Sequence, residues 1–473
     1  MRWRQLSCVS SAVFLLLLSR CVSYQPRPLQ PERMAGEFES RTLEDPGLRK
    51  YFEKNSSRSP AIWPVPTWDL SGLTLAAFYY SPDLDIARAR FAVVGAGVIT
   101  AGARPNPTFA LSPEFVANSG ALSPWILTLS FDIPIETLGK RGYRIDRARH
   151  LTEAARLEIA SAAWGVRSRL RAAMLDWWAA DRRTEIARRE LALREDLANA
   201  LERRLEVGGA SALDVGRERV ARDQARLLVQ SERRVSLDVK NRVAAAVGIP
   251  ESALEDASVS FAGFETAPLP KEPPSGEVRA AALLGRSDVR KSLAEYAAAE
   301  SALRLEVARQ YPDIHLGPGY KWSQGENSFI LGFSAELPIF NRNRGPIAEA
   351  EARRREAEAG FSALQARVVA EADRAVAVYA AVGREAEAAD ALAQSSRKNL
   401  DRVRSAFDAG ELDRVALRAA EIELTTAERS RLEAVFQAQK AAGLLEDVVQ
   451  RPLAGEPIPV PSEASARPEK EIP

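Results

Sequence analysis

The sequence predicts a mainly α-helical chain that also supplies strands to a membrane β-barrel, arranged as two tandem repeats of one unit. Three observations carry this: landmarks recurring about 204 residues apart, two pairs of segments with alternating polarity, and four long stretches almost free of proline.

The recurrence comes first because internal repetition overrides what length alone suggests. Pro134-Ile135 followed by Gly139-Lys140-Arg141-Gly142 is echoed by Pro338-Ile339 followed by Asn341-Arg342-Asn343-Arg344-Gly345. Nearly the same offset carries Asp85 onto Asp288, Pro107 onto Pro312, Pro113 onto Pro318 and Gly208 onto Gly410. Residues 70–250 and 276–450 are thus read as the two copies. Each opens on a helix, at 83–103 and 287–310, closed by Pro105 and Pro107 or by Pro312.

Strands are expected near 107–117 and 124–133, and again near 313–322 and 328–337. Trp125, Leu127, Leu129, Phe131 and Ile133 alternate with Thr128, Ser130 and Asp132. Phe329, Leu331, Phe333, Ala335 and Leu337 alternate with Gly332, Ser334 and Glu336, and Ile126 and Ile330 interrupt the two patterns at the same place. Period two fits either a half-buried strand in a soluble sandwich or a barrel with lipid outside and water inside. Four strands can neither build a good sandwich nor close a barrel. Pooling strands from several chains would close one and remove its edges, so strand count implies oligomerisation.

Long helices are expected at 142–206, 211–248, 345–408 and 413–449. At 1.5 Å per residue, the longer member of each pair reaches about 95 Å, beyond any ordinary globular helix. Apolar positions at spacings of three and four, such as Leu170, Ala173, Trp177 and Ala180, fit coiled-coil pairing.

The helices turn back at two motifs. In Gly208-Gly209-Ala210-Ser211-Ala212-Leu213-Asp214, a glycine can end one helix at positive φ. Ser211 can cap the next, with Asp214 as a capping-box-like partner. In Gly410-Glu411-Leu412-Asp413-Arg414-Val415-Ala416, Gly410 and Asp413 repeat the stop and start, and Ala416 takes the partner's place. Two ordinary helical hairpins would account for all of these residues.

Residues 1–20 read as a signal peptide, with Arg2 and Arg4 ahead of the apolar run Val13 to Leu18, too short to span a bilayer. Cys21 follows Leu18-Ser19-Arg20 and resembles an acylated lipobox cysteine, with Arg20 where a small residue is usual. Cleavage near Ser23, discarding Cys21, is the other reading. Residues 21–69 form an N-terminal segment. Residues 249–275 read as a proline-containing linker wrapped on the surface, and 451–473 as a disordered tail.

Composition excludes several functions. The 65 Lys and Arg residues offset 64 Asp and Glu, so no net charge draws the chain to nucleic acid. Cys8 and Cys21 cannot staple the mature chain. Two histidines, His150 and His315, cannot build a histidine-rich metal site, and no P-loop or serine-hydrolase motif occurs. The chain is therefore expected to be no enzyme and to hold no cofactor.

The order strand, strand, long helix, turn, long helix, written twice, resembles the TolC-type outer-membrane factors. Leu337 to Ala352 (LPIFNRNRGPIAEAEA), Ala308 to Tyr320 (ARQYPDIHLGPGY) and the YQPRPLQPE segment after Cys21 resemble the CzcC-like heavy-metal efflux branch. The resemblance implies a homotrimer in the outer membrane of a Gram-negative bacterium, with a 12-stranded barrel in lipid continuing into a periplasmic helical tunnel. It implies a passive duct that exports metal ions or drugs received from a periplasmic adaptor and an inner-membrane pump. The turns Gly208, Ser211, Asp214, Gly410 and Asp413 would dock the adaptor. Acidic residues inside the second turn narrow the aperture in that family; here Ala416 stands at that position, leaving Asp214 or Arg418 as aperture candidates. The alternatives are a periplasmic or surface-attached coiled-coil structural protein, and a duct for protein secretion.

Overall fold

A computed structural model describes residues 24–55, 62–117, 120, 123–255, 257–265 and 274–453. The signal peptide and Cys21 lie outside the described residues, as does the tail beyond Leu453. The chain divides into two units, Met1–Arg41 and Thr42–Pro473. Among the described residues, the first holds α1 (Pro31–Glu39), which starts on a proline and has no buried residue.

The second unit contains everything else. Helices α2 (Pro46–Asn55), α3 (Leu70–Tyr80) and α4 (Pro82–Gly102) precede strands β1 (Thr108–Phe115) and β2 (Trp125–Ile135). The long helices α5 (Lys140–Glu206) and α6 (Ala212–Val247) follow. Then come α7 (Ser252–Glu255), α8 (Ala262–Glu265), α9 (Ser275–Gly285) and α10 (Ser287–Ala308). Strands β3 (Ile314–Ser323) and β4 (Glu326–Ala335) lead into α11 (Arg344–Asp408) and α12 (Arg414–Val449). No described helix is long and apolar enough to cross a membrane.

The four strands form one antiparallel sheet in the order β1-β2-β3-β4, with β1 and β4 as edges. Its register puts like with like across each pair: Phe109 opposite Phe131, Leu129 opposite Tyr320, Tyr320 opposite Phe329. Apolar side chains therefore share one face, where rings meet at 5.1 Å (Phe115–Trp125) and 5.2 Å (Phe109–Phe131). Ser112, Thr128, Lys321 and Ser328 share the other, by the same alternation. There the His315 ring contacts the Asp132 carboxylate at 2.9 Å. No described part of the chain covers the apolar face: Phe109 is 57% exposed and Phe329 87%. A dry sandwich core is therefore not what these strands build.

Two strand ends differ from expectation. β2 runs through Pro134 to Ile135, because β3 pairs with it that far. β4 stops at Ala335, and Leu337, Ile339 and Phe340 beyond it are 67% to 101% exposed.

Sheet and helices are joined by a charged clamp. The buried Lys140 ammonium donates to Asp313 Oδ1 (2.7 Å) and to the Tyr311 carbonyl (2.6 Å). The Glu136 carboxylate accepts two bonds from the Arg144 guanidinium. Both α5 and α11 begin from a left-handed residue, Gly139 (φ 72°) and Asn343 (φ 57°).

The largest core lies around the middle of α5. Leu73 and Tyr80 of α3 pack with Leu170, Met174 and Trp178 of α5 and Val243 of α6. Every residue of α3 from Gly72 to Tyr80 is buried. That is why it escaped sequence reading: a helix apolar all round has no period to detect. The 249–275 segment is more than a wrapped linker. It carries α7 and α8, buries Ile249, Leu254 and Phe264, and bridges Val259 to Trp68. A second core joins Val278 of α9 to Val368, Ala372 and Tyr379 of α11 and Leu445 of α12. Further toward the turns lies a small cluster of alanines, Ala386, Ala434 and Ala438, and beyond it Leu197, Val215 and Leu417 are buried.

Candidate functional site

Each helical turn is a Schellman close followed by a side-chain cap. Gly208 (φ 72°) and Gly410 (φ 79°) take the left-handed position, and a Cβ at either would meet nothing within 4 Å. Backbone conformation alone calls for glycine there. The Gly209 amide donates to the Arg204 carbonyl (2.7 Å), as the Glu411 amide donates to Ala406 (2.9 Å). Ser211 Oγ then accepts from the Asp214 amide at 3.1 Å, and Asp413 Oδ1 from the Ala416 amide at 2.8 Å.

The two caps differ. The Asp214 carboxylate takes a bond from the Ser211 hydroxyl (2.7 Å), within its own turn. The Asp413 carboxylate pairs with Arg204 of the other hairpin. The Ala416 amide and the Arg204 guanidinium hold the Asp413 carboxyl below the usual range. Arg418, the other aperture candidate, pairs with Asp196 of α5 (2.9 Å) and with Glu421. Arg414 reaches the same Asp196 at 3.4 Å. The structure thus ties Asp413 and Arg418 to α5 and leaves Asp214 outside that set.

These bonds begin a ladder between α5 and α12. Behind them come Glu190–Arg429, Arg189–Glu428 (3.0 Å) and Arg183–Glu433 (2.6 Å). Sequence reasoning missed Arg204 and Asp196, because their partners lie more than 200 residues away and no local spacing marks them. Among the described residues, no group of three His, Cys, Asp or Glu could hold a metal ion.

The comparisons with known proteins match this architecture. The model of the outer membrane efflux protein family fits residues 77–248 and again residues 278–447. The chain belongs to that family. Membership places it in the outer membrane and in a family of efflux channels rather than enzymes. Over 256 residues it is 26% identical to the cobalt-zinc-cadmium resistance protein CzcC of Cupriavidus metallidurans, covering 54% of this chain and 59% of that protein. Over 309 residues it is 27% identical to the nickel-cobalt-cadmium resistance protein NccC of Alcaligenes xylosoxydans xylosoxydans, covering 64% and 68%. The fold matches the outer membrane protein VceC of Vibrio cholerae with a TM-score of 0.65 at 20% identity, over 81% of this chain and 97% of that one.

Proposed function

We propose that three copies of this chain form a passive outer-membrane duct for metal ions, fed by a periplasmic adaptor and an inner-membrane pump. The observation that carries it is the open, amphipathic four-stranded sheet joined to paired long helices. Such a sheet is stable only when lipid covers its apolar face and another strand covers each edge. Three chains supply twelve strands. The longer helices α5 and α11, about 100 Å each, would carry the duct across the periplasm, with the turns at Gly208–Asp214 and Gly410–Asp413 meeting the adaptor. The metal-resistance names of CzcC and NccC support the cargo class. Cys21, acylated, would add a lipid anchor beside the barrel.

Residues 70–250 and 276–450 are taken as two copies of one unit, and this gives the seam between chains a definite register. Moving β2 onto β4 by 204 residues and β1 onto β3 by 205 converts Phe109–Phe131 into Ile314–Ala335, a pair that exists. The same shift applied to β2–β3 pairs β4 with the neighbour's β1: Ile339 with Phe109, Leu337 with Leu111, Phe333 with Phe115. Apolar faces stay aligned, since an odd slip would turn them over. It would also extend β4 through Leu337 and Ile339, now uncovered.

The test is cross-linking. Directly opposed residues lie about 4.5–5.5 Å apart, within disulfide reach. Leu111→Cys with Leu337→Cys is expected to give a trimer resistant to detergent and sensitive to reductant, whereas Leu111→Cys with Phe333→Cys is not. Monomer in both cases overturns the shared barrel. Deleting the gene tests the cargo: unchanged sensitivity to cobalt, zinc, cadmium and nickel overturns metal export.

A further inference from the structure

We propose that a cavity of about 420 Å³ between α5, α11 and α12 binds a water-borne anion carrying an apolar group, such as an aromatic or aliphatic sulfonate or carboxylate. Its size is that of a small-molecule site. Its composition is two-sided. Leu175, Val378 and Leu444 supply an apolar wall, and Arg171, Arg374 and Lys440 supply charge.

The charge is unbalanced toward cations. Arg171 is buried, donates to the Gln439 carbonyl at 3.0 Å, and shares its one carboxylate, Glu446, with the equally buried Arg167. Two guanidiniums therefore face one glutamate. Arg374 and Lys440 line the same cavity and form no ion pair among the described residues. Asp447 also lines the cavity and takes hydrogen bonds from Trp164 Nε1 (2.9 Å) and Ser168 (2.8 Å). Burial, reinforced by Glu446, pushes its carboxyl above the usual range, and each of its two oxygens is already engaged by one of these donors. Excess positive charge beside an apolar wall is satisfied by an anion whose remainder is apolar.

Gly443 points the same way. It lies inside α12, where glycine costs about 1 kcal/mol relative to alanine. A Cβ there would stand 2.3 Å from Arg171 Nη1. Glycine is what lets the buried guanidinium lie across α12 at the cavity. The site sits roughly 45 Å along α5 from Lys140, at 1.5 Å per residue, far from the sheet. A bilayer lipid held at the sheet would not reach it, which favours a solute arriving through water.

The experiment is calorimetric titration of the full-length protein in maltoside micelles with naphthalene-2-sulfonate. Saturable binding is expected, at least tenfold tighter than naphthalene-2-methanol, which lacks the charge, and than sulfate, which lacks the ring. Arg374→Gln with Lys440→Gln, both exposed and safe for folding, should weaken the sulfonate at least tenfold. Gly443→Ala, which displaces Arg171 without removing a charge, should weaken it too. Lys240→Gln, on α6 and away from the cavity, should change nothing. No saturable binding, equal binding of all three probes, or an undiminished signal in the double variant overturns the proposal. None of these outcomes depends on whether the chain exports metals.

Discussion

The middle of the helical region and its two turns are held by different forces. Around the middle of α5, α3, α5 and α6 interlock Leu73, Leu170, Met174 and Val243 with no more than traces of exposure. Toward the turns, buried apolar side chains such as Leu197, Val215, Leu417 and Ile422 stand outside the core clusters, and a ladder of arginine–carboxylate pairs joins α5 to α12. Apolar packing has no alternative partner and few alternative geometries. Exposed ion pairs are worth about 0.2–1 kcal/mol each and exchange partners readily. The difference teaches where the hold is strongest: the clustered core of the middle resists separation, and the ion pairs toward the turns cost less to break.

The largest expected effect breaks the middle. Leu170 is fully buried, and Leu170→Ala should cost about 2–5 kcal/mol from lost burial and the cavity left behind. Denaturant unfolding followed by tryptophan emission would register this. A loss below about 1 kcal/mol would mean that the middle is packed no better than the turns.

The next effect is local. Asp413→Ala removes the cap of α12 and the Arg204 pair together. It should cost about 1 kcal/mol, read as faster amide exchange at Ala416 and Leu417 with an unchanged global midpoint. Arg204→Ala removes only the ion pair and should cost a few tenths of a kcal/mol. If both variants lower the global midpoint equally, the turn and the middle are one cooperative unit.

How much of this was legible in the sequence follows from the same contrast. The long helices were legible because periodicity and the glycine stops are local; α6 and α12 begin one residue after the serine and aspartate that cap them. The strands were legible from alternation, but their ends were not. Where β2 and β4 stop depends on which strand lies alongside, which no local pattern encodes. Helix α2 and the buried part of the 249–275 segment were missed because contacts between distant parts of the chain hold them in place: the Tyr51 ring of α2 meets that of Tyr79, and the Trp68 amide donates to the Ser258 carbonyl. Of the candidate site, the caps were legible and the partners of Asp413 and Arg418 were not.

The smallest effect sharpens the comparison through pH. The Asp413 carboxyl is held low in the folded chain, so its contribution is complete above the ordinary carboxylate pKa. It is lost as pH falls through the depressed folded value. Amide protection at Ala416 should therefore fall on acidification before the middle unfolds. Asp413→Asn, which keeps a cap but no charge, should remove that acid step. Persistence of the step in the variant would point to another carboxylate.

The left-handed starts of α5 and α11 bear on how such a chain can change over generations. Gly139 adopts its conformation at no steric cost. Asn343 offsets its own through two bonds to Glu306, at 2.8 and 2.9 Å. Most other residues would lose roughly 1–2 kcal/mol at either position. The menu of tolerated substitutions is short at both, although neither needs to touch cargo, lipid or partner. Invariance at these two places in related chains would record the geometry of a strand turning into a helix, and would be misread if taken as the mark of a binding residue.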